Sequence, residues 1–580
     1  MLSKLNKIRT WQASFIIALF GFGFYFDGLK NQFIGDDNSQ IVGNLPVHSI
    51  SHIALLFKGG TFYIGNGLAP LYGNYYRPLM STVYSLIYTL FGPHPFYFHL
   101  VQLLLCIGST TLLFLFFKNS FSPVLSLLLS LIFLVHPIDS QTVFEISALQ
   151  DALFFFFGIL ALYLLIRLHS LKSLILVALS LFLSALAKET AILFVIMALL
   201  YLFWWDRKIL YYFMSIMFIP IICYIALRLH AIGLFRHPTI APIDNASLGV
   251  RLLTAPSIIL FYFSRLIFPW NLASAYYWVD SRFSVIHVLL PLLADIAILG
   301  LFIFLGFIVR ENRSKAEFYT YLFFMLWCMI GLAMTTQVVA LDMTASETWF
   351  YFPMVGILGM IGIISRLLPS KLRFNRILLF SLVLVVAVLG LRTAIRGLDW
   401  QSAVTLAAKD ITASKNDYNA YDTLASEQIA DGNLNKAQHL AQQSISIYPT
   451  LNNYDLLGQI LSKQRKYAEA VSVYDLGLQY GANTSTYDKL AELTLVYGGY
   501  ADGVQYFSGV LQQYPNNPTL LMYFALFEAR WDDNSQAKIA IGRAAAYGQV
   551  PEIFYNHIMN DQPFTVSLPD LSVENMAINY

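Results

Sequence analysis

The chain has 580 residues, of which 57% are hydrophobic and only 12% are charged, and its mean hydropathy is +0.60. Soluble domains carry about twice that share of charged residues, so the composition excludes a soluble globular enzyme and a disordered chain, and it indicates a membrane protein with several spans. The charge is divided along the chain: residues 1–396 hold 26 Lys and Arg against 15 Asp and Glu, whereas residues 397–580 hold 10 against 19. We therefore expect a basic membrane domain, 1–396, followed by an acidic soluble domain, 397–580.

Apolar runs long enough to cross a bilayer predict about eleven spans in the first domain. They lie at 11–30, 96–117, 123–139, 150–167, 171–187, 189–204, 209–229, 285–308, 316–338, 349–367 and 374–396. Basic residues fall in each predicted inner loop, as the positive-inside rule requires. The stretches 79–92 and 250–268 break this alternation, so we assign them to surface helices on the outer face; a full crossing by either one would reverse the parity. The expected topology is a cytoplasmic N-terminus and an outer C-terminal domain.

Residues after about 400 repeat with a period of roughly 33–34 residues. Small residues recur at one register, and these are Ala437, Ala470, Gly503 and Ala537. Small residues at fixed points let paired helices approach closely, so the pattern resembles the tetratricopeptide repeat. Four such units predict a short α-solenoid whose concave face binds a protein or an extended peptide. The alternative is a helical domain that only supports the membrane part.

The charged residues of the membrane domain gather at the predicted outer ends of spans, where each one needs an explanation. Asp36 and Asp37 follow the first span, and two adjacent carboxylates suit a bound cation or acid–base catalysis, unless they form only a solvated pair. Arg77 opens an amphipathic helix, where it suits a lipid-linked phosphate or simply extends to the interface.

Further charged residues flank the third, fourth, fifth and tenth spans, and these are His136, Asp151, Lys188, Glu189 and Glu347. Each has an ordinary structural explanation, since His136 could cap a helix and Lys188 could neutralise Glu189. Their shared outer position nevertheless predicts one polar site. A metal at His136 lacks the usual ligand spacing, and a divalent cation remains conceivable only at Asp36 and Asp37. Because no nucleotide-binding motif is present, an activated substrate from the membrane would have to drive any bond formation.

The motifs, in their order along the chain, resemble the GT-C glycosyltransferase superfamily, and in particular its members with tetratricopeptide repeats, whose eukaryotic relatives are protein O-mannosyltransferases. The resemblance covers nearly the whole chain. It rests on Gly35-Asp36-Asp37 with Ile41 and Asn44, Tyr76-Arg77-Pro78-Leu79, Phe91-Gly92 with His99, Val135-His136-Pro137 with Val143 and Asp151, Ala187-Lys188-Glu189, Phe268-Pro269 with Leu272 and Tyr276, and Glu347 with Phe350-Tyr351-Phe352-Pro353 and Gly356.

This resemblance implies an all-α GT-C bundle that transfers a sugar, with inversion, from a polyprenyl phosphate on the outer face to an acceptor, expected to be a protein presented by the repeats. It implies Asp36 or Asp37 as general base. Arg77, Lys188 and His136 would bind the donor phosphate, and Asp151, Glu189 and Glu347 would position the acceptor. The partners would be the lipid donor, membrane lipid and a protein or peptide, and no nucleic acid. The membrane would be the inner membrane of a prokaryote or the endoplasmic reticulum of a eukaryote.

The chain departs from the family at four places. Relatives often have a His where this chain has Cys106 and a Glu where it has Gln141. They often have an Arg where it has Leu149 or Thr348–Trp349. An altered donor pocket or an inactive relative would explain them. Three other functions therefore stay open: transfer to a lipid or glycan, a non-catalytic scaffold whose repeats dock envelope or secretion proteins, and a transporter. A transporter should carry charges at mid-span and broken helices in two similar halves, and neither pattern is evident.

Overall fold

The computed structural model describes residues 8–63, 67–68, 70–167, 170–234, 241–368, 376–481, 484–497, 499–531, 534–548 and 550–561. These residues are overwhelmingly helical, and their extended pairings are the isolated bridges Phe62–Tyr72 and Tyr276–Ala345. The chain divides into two units, Met1–Lys415 and Asn416–Tyr580. The predicted fold class, an all-α protein with membrane helices and a helical solenoid, is confirmed.

Fourteen principal helices build the first unit. They are α1 Thr10–Tyr25, α2 Pro78–Phe91, α3 Pro95–Phe117, α4 Pro123–Val135, α5 Leu149–Arg167, α6 Leu171–Ala187, α7 Ile192–Trp205, α8 Arg207–Ile232, α9 Leu248–Ile267, α10 Leu290–Asn312, α11 Lys315–Ala333, α12 Tyr351–Ile364, α13 Arg376–Asp399 and α14 Ala403–Ala413. Short helices and turns, including Ile53–Leu56 and Gln141–Phe144, lie between them.

Eight helical segments of the described chain are long and apolar enough to cross a membrane, and a bent pair, α4 with Pro137–Phe144, would make nine. These segments include Leu248–Ile267, which we had assigned to the outer surface, so its length and composition also allow a crossing. Three of the predicted spans form shorter apolar helices, Thr10–Tyr25, Lys172–Ala187 and Glu189–Trp205. The chain thus has the helices of a membrane protein, while the predicted parity and sidedness stay predictions.

Aromatic rings and small residues pack the centre of this unit. Trp327 is fully buried, stacks on Phe352 and donates its indole N–H to the Phe352 carbonyl at 2.9 Å. A Cβ atom on Gly356 would lie 2.5 Å from the backbone nitrogen of Cys328 and from the carbonyl oxygen of Phe324. The glycine therefore lets α12 approach the backbone of α11, which is how helices associate where no water drives them together.

The second unit consists of helix pairs in the predicted register. Its helices are α15 Tyr418–Ala430, α16 Leu434–Ile447, α17 Leu451–Lys463, α18 Tyr467–Gly477, α19 Thr484–Tyr497, α20 Gly499–Gln513, α21 Pro518–Trp531, α22 Asn534–Tyr547 and α23 Glu552–Met559. The recurring small residues Ala437, Ala470, Gly503 and Ala537 are all buried. Each one lies in the second helix of its pair, as expected for positions where paired helices meet.

Gly503 gives a stability test of this register. A Cβ atom there would lie 2.1 Å from two ring carbons of Phe527, which is itself buried. We expect Gly503→Leu to destabilise a fragment spanning residues 416–561 by about 1–3 kcal/mol or more, because overpacking displaces the ring. The measurement is chemical unfolding followed by circular dichroism.

Gly509, in the same helix, is the matched control. It is exposed, and an added Cβ atom would meet nothing within 4 Å. Gly509→Leu should leave stability within about 0.5 kcal/mol or raise it, since leucine is the better helix former. Equal effects of the two substitutions would contradict the register, as would an unfolded wild-type fragment.

Candidate active site

The two adjacent carboxylates after α1 differ sharply in their surroundings. Gly35 adopts a left-handed backbone conformation, φ +53°, which side chains other than glycine adopt at a cost. The turn it permits is closed by the Asp37 amide, which donates to the Ile34 carbonyl at 3.1 Å. As a result the Asp37 side chain points inward and is buried, while the Asp36 side chain is exposed.

Asp37 holds its loop against the segment before α5. One carboxylate oxygen accepts from the Ile34 amide at 3.0 Å, and the other accepts from the Ser147 amide at 2.9 Å. Burial raises the pKa of Asp37 to about 7; the two amides oppose this shift, and the nearby Asp36 adds to it. With both oxygens hydrogen-bonded to backbone, Asp37 is well placed to hold the loop and poorly placed to accept a substrate proton.

Asp36 is exposed to solvent but has other protein groups around it. Its accessible surface is that of an exposed residue, yet burial by surrounding protein atoms is the main cause of its raised pKa. These two facts agree if the carboxylate is reachable by solvent but enclosed on its sides. Asp342 raises the pKa further and Arg77 lowers it, so both charged groups lie close enough to act on Asp36 through space. Asp342 in turn accepts a 2.6 Å hydrogen bond from the Tyr75 hydroxyl.

Arg77 is buried at the beginning of α2 and binds Glu189 with two hydrogen bonds. Its Nε atom lies 3.3 Å from Oε2 and its Nη2 atom lies 3.0 Å from Oε1. The guanidinium also lies 4.2 Å from the centroid of the Tyr75 ring. A planar guanidinium fixed by a carboxylate and an aromatic ring has little freedom to move, and its remaining N–H groups suit an oxyanion.

A second ion pair involves Lys188, the residue that precedes Glu189. Lys188 follows the last residue of α6 in an extended conformation, and its Nζ atom lies 2.6 Å from Oδ1 of Asp151 in the first turn of α5. Both side chains are buried. The expected alternative, a neutral pair between the neighbours Lys188 and Glu189, is therefore wrong: each of these residues pairs with a residue from another part of the chain.

His136 contacts two backbone groups in this structure. The ring is buried, and its Nδ1 atom accepts from the Ile138 amide at 3.2 Å while Nε2 lies 3.0 Å from the Leu266 carbonyl. The first contact is the helix cap given above as the alternative, and the second joins His136 to α9. A phosphate contact from His136 stays a prediction, and it would require one of these hydrogen bonds to be exchanged.

Glu347 lies in a separate buried cluster. Its Oε1 atom accepts from the Tyr276 hydroxyl at 3.1 Å, and its Oε2 atom lies 3.7 Å from Nη2 of Arg396. Arg396 also donates to the Leu272 carbonyl at 2.9 Å. No hydrogen bond or ion pair joins Glu347 to Asp36, Arg77 or Lys188 among the described residues. Its predicted role in positioning an acceptor is therefore not supported by a direct contact.

Several residues of the site were not selected from the sequence. They are Tyr75, Asp342 and Glu145. Tyr75 adjoins a quoted motif, but its contact with Asp342 joins residues 267 positions apart. Such a pairing has no local pattern, so only the folded arrangement reveals it.

The departure at Gln141 has a structural counterpart. The Gln141 amide nitrogen donates to the Glu145 carboxylate at 2.9 Å and to the Ser274 carbonyl at 3.0 Å. A half-buried carboxylate is therefore present one helical turn beyond the position where relatives often have a Glu. Cys106, at another departure, is buried with its sulfur 3.8 Å from the Tyr351 hydroxyl.

The acid pair does not fit a metal ion. In the part of the chain that the structure describes, no group of three His, Cys, Asp or Glu side chains is placed to hold one. Asp37 already accepts a backbone amide at each oxygen. Of the pair, only Asp36 would therefore be left without hydrogen-bonded oxygens, and we assign no metal step to this site.

Comparisons with known proteins give a partial match. No family model matches the chain. Protein O-mannosyl-transferase TMTC1 of Mus musculus and of Homo sapiens is 32% identical to it over 132 residues, which is 22% of this chain. The match spans only 14% of the mouse protein and 15% of the human protein.

Two solved helical proteins are similar at a low level. The P58(IPK) TPR domain is 13% identical, with 47% of this chain and 94% of that chain covered and a TM-score of 0.16. The APC/C hetero-tetramer Cut9-Hcn1 is 12% identical, with 83% and 89% covered and a TM-score of 0.22. TM-scores this low indicate nothing about function.

Proposed function

We propose that this protein is a membrane glycosyltransferase that moves a sugar from a polyprenyl phosphate to an acceptor hydroxyl, with a protein as the acceptor. The observation that carries the proposal is the position of Asp36, an accessible carboxylate close enough to the buried guanidinium of Arg77 for that charge to lower its pKa. A base beside a cation site is what sugar transfer from a phosphate requires. The local similarity to protein O-mannosyl-transferases and the family resemblance of the motifs support the same chemistry.

In the proposed reaction, Asp36 accepts the proton of the acceptor hydroxyl as that oxygen attacks the anomeric carbon of the donor sugar. The bond from this carbon to the phosphate oxygen breaks, and the lipid phosphate leaves with the electron pair. Attack opposite the leaving group inverts the anomeric centre. Arg77 and Lys188 would stabilise the negative charge that develops on the phosphate.

Three carboxylates then have supporting roles. Asp37 fixes the loop that carries Asp36, because both of its oxygens bind backbone amides. Glu189 and Asp151 orient Arg77 and Lys188 through the ion pairs described above. In the absence of donor these acids also keep two buried cations from being unpaired, which would be costly.

We assign the remaining roles by proposal as well. The site would face the outer side of the membrane, and the solenoid, on that same side, would bind the acceptor protein. The domain division at about residue 396 follows from the change in charge, and the compact second unit begins at Asn416.

The direct test uses purified full-length protein and a polyprenyl-phosphate mannose, because mannose is the sugar in the name of the matched relatives. Binding and transfer to a Ser/Thr peptide library are measured separately. We expect saturable donor binding and mannosylated peptide by mass spectrometry. Transfer that releases no lipid phosphate would contradict the mechanism. If no polyprenyl-phosphate sugar binds, the proposal fails and the scaffold function is favoured.

A further inference from the structure

Glu145 is a half-buried carboxylate, enclosed by surrounding protein atoms, that the proposed reaction does not use. It lies between Gln141–Phe144 and the segment that leads into α5. Its Oε2 atom accepts from the Gln141 amide nitrogen at 2.9 Å, and its Oε1 atom lies 3.2 Å from the Ser147 hydroxyl. Its backbone carbonyl accepts from the Gln102 side chain at 2.6 Å. Every one of these partners is a neutral group.

Glu145 has no cation to balance a negative charge. No Lys, Arg or His forms an ion pair with it among the described residues. The titratable groups that face it are Asp36 and Asp37 from the loop after α1 and Tyr84 from α2. Ionising all three carboxylates at close range would cost free energy, because their charges repel and two of them are enclosed without a counter-ion. The proton should stay on the carboxylate that has the least polar support.

Asp37 and Glu145 differ in that support. Asp37 accepts two backbone amides, which favour its charged form, whereas Glu145 meets only a side-chain amide and a hydroxyl. The Ser147 hydroxyl can also accept a hydrogen bond from a protonated Oε1, since hydroxyl groups both donate and accept. The same serine donates its backbone amide to Asp37. Ser147 therefore connects Glu145 directly to the residue that fixes the Asp36 loop.

We propose that Glu145, kept as the neutral carboxylic acid, is a positioning residue that holds Ser147 and Asp37 in place and keeps a further negative charge away from the ionised Asp36. This inference rests on the proposed function, because Asp36 is the base of that reaction. Consistent with the geometry, burial raises the pKa of Glu145 to about 8, with Asp37 and Asp36 adding to the shift. Ionisation of Glu145 in alkaline solution would place an extra charge beside Asp37 and disturb the loop.

The sign of the stability effect follows from linkage. A carboxyl group whose pKa is raised in the folded state stabilises the fold fully below its ordinary value, 4.5, and loses that contribution as pH rises to about 8. Asp37, with a pKa of about 7, contributes in the same direction. The wild-type melting temperature should therefore fall between about pH 5 and pH 8, and Glu145→Gln should reduce that fall.

Glu145→Gln is the decisive variant because glutamine mimics the neutral acid. Its amide nitrogen can donate to the Ser147 hydroxyl and its oxygen can accept from Gln141. We expect transfer of polyprenyl-phosphate mannose at pH 6.5–7 to stay within roughly 3-fold of wild type, and the alkaline loss of activity to weaken. Glu145→Ala, which removes both contacts, should lower kcat roughly 10-fold or more while donor binding stays unchanged. If the alanine variant does not fold, the glutamine variant alone decides the matter.

Glu317→Gln is the matched control. Glu317 is ion-paired with Arg366 at 2.7 Å and lies in α11, so it serves as an acid that already has a cation. The Glu317→Gln substitution should leave the alkaline limb of the pH–activity profile unchanged. A Glu145→Gln protein that melts like wild type at pH 6.5 but loses transfer more than 10-fold would overturn the proposal, because an ionised Glu145 would then be required.

The melting experiment separates this inference from the proposed function. If wild-type protein neither binds nor transfers the donor, the proposed function fails. The pH dependence of the melting temperature still tests Glu145 in that case: a smaller fall in the glutamine variant supports the neutral acid. Identical curves for wild type and Glu145→Gln would refute it.

Discussion

Asp36→Asn is expected to lower the rate of sugar transfer by about 10²- to 10⁴-fold, the usual cost of losing a general base. The side chain is exposed and makes no structural hydrogen bond in the described chain, so the melting temperature should not change by more than a degree or two. Donor binding should also survive, because Arg77 and Lys188 keep their charges. The measurements are single-turnover transfer and donor binding on the same purified protein.

Asp37→Asn is the matched comparison, since the two residues are adjacent and the substitutions identical. Asp37 accepts the Ile34 and Ser147 amides with its two oxygens. The asparagine NH₂ group would face one of those donors, and a buried donor left unpaired costs about 1–3 kcal/mol. We therefore expect a lower melting temperature together with reduced activity. Full transfer by Asp36→Asn, with a loss confined to Asp37→Asn, would reverse the assignment of the base.

The pH dependence gives a second check on Asp36. Burial and Asp342 raise its pKa above the ordinary value of 3.8, and Arg77 opposes them. A base must be ionised to accept a proton, so activity should fall as pH drops through this raised pKa. The acidic limb of the wild-type profile should therefore lie above the ordinary value for an aspartate, and an Asp36→Asn protein should lack it.

The contrast between these two acids shows what the sequence can and cannot determine. Hydropathy and the 33–34-residue period predict the helical bundle and the solenoid, because both follow from local patterns repeated many times. The adjacent acids lie in the loop that follows α1, which the sequence also indicates. Their opposite orientations depend on the left-handed turn at Gly35 and on the Ser147 amide, which is 110 residues away from Asp37. No local pattern specifies that contact.

The cations show the same limit. The sequence places Arg77 and Lys188 at the same end of the bundle, but it gives no means of choosing their partners. The neighbours Lys188 and Glu189 separate because the backbone is extended at Lys188, so successive side chains point in different directions. One reaches Asp151 and the other reaches Arg77. Pairing between distant helices is set by tertiary packing, which is also why the contact of His136 with the Leu266 carbonyl has no local signal.

Arg77 and Glu189 should have opposite effects on donor affinity. Arg77→Ala removes a charge-assisted contact to the donor phosphate, worth roughly 1.5–3 kcal/mol, so donor binding should weaken about 10- to 150-fold. Glu189→Gln instead keeps the arginine, retains an amide oxygen that can orient it, and removes a negative charge that repels the donor phosphate. Donor binding should therefore tighten or stay equal in the Glu189→Gln protein. Isothermal titration calorimetry or a fluorescence assay with a polyprenyl-phosphate sugar measures the donor affinity of both variants.

This opposition distinguishes a phosphate site from a purely structural ion pair. If Arg77 and Glu189 only held α2 near the end of α6, removing either partner would leave the other unpaired, and both variants would be destabilised without any change of sign in binding. Arg77→Lys adds a graded control, because it keeps the charge but loses the two-point contact with Glu189. Its donor affinity should lie between those of wild type and Arg77→Ala. Normal donor affinity in Arg77→Ala, measured on folded protein, would place the phosphate elsewhere and leave Asp36 without a neighbouring leaving-group site.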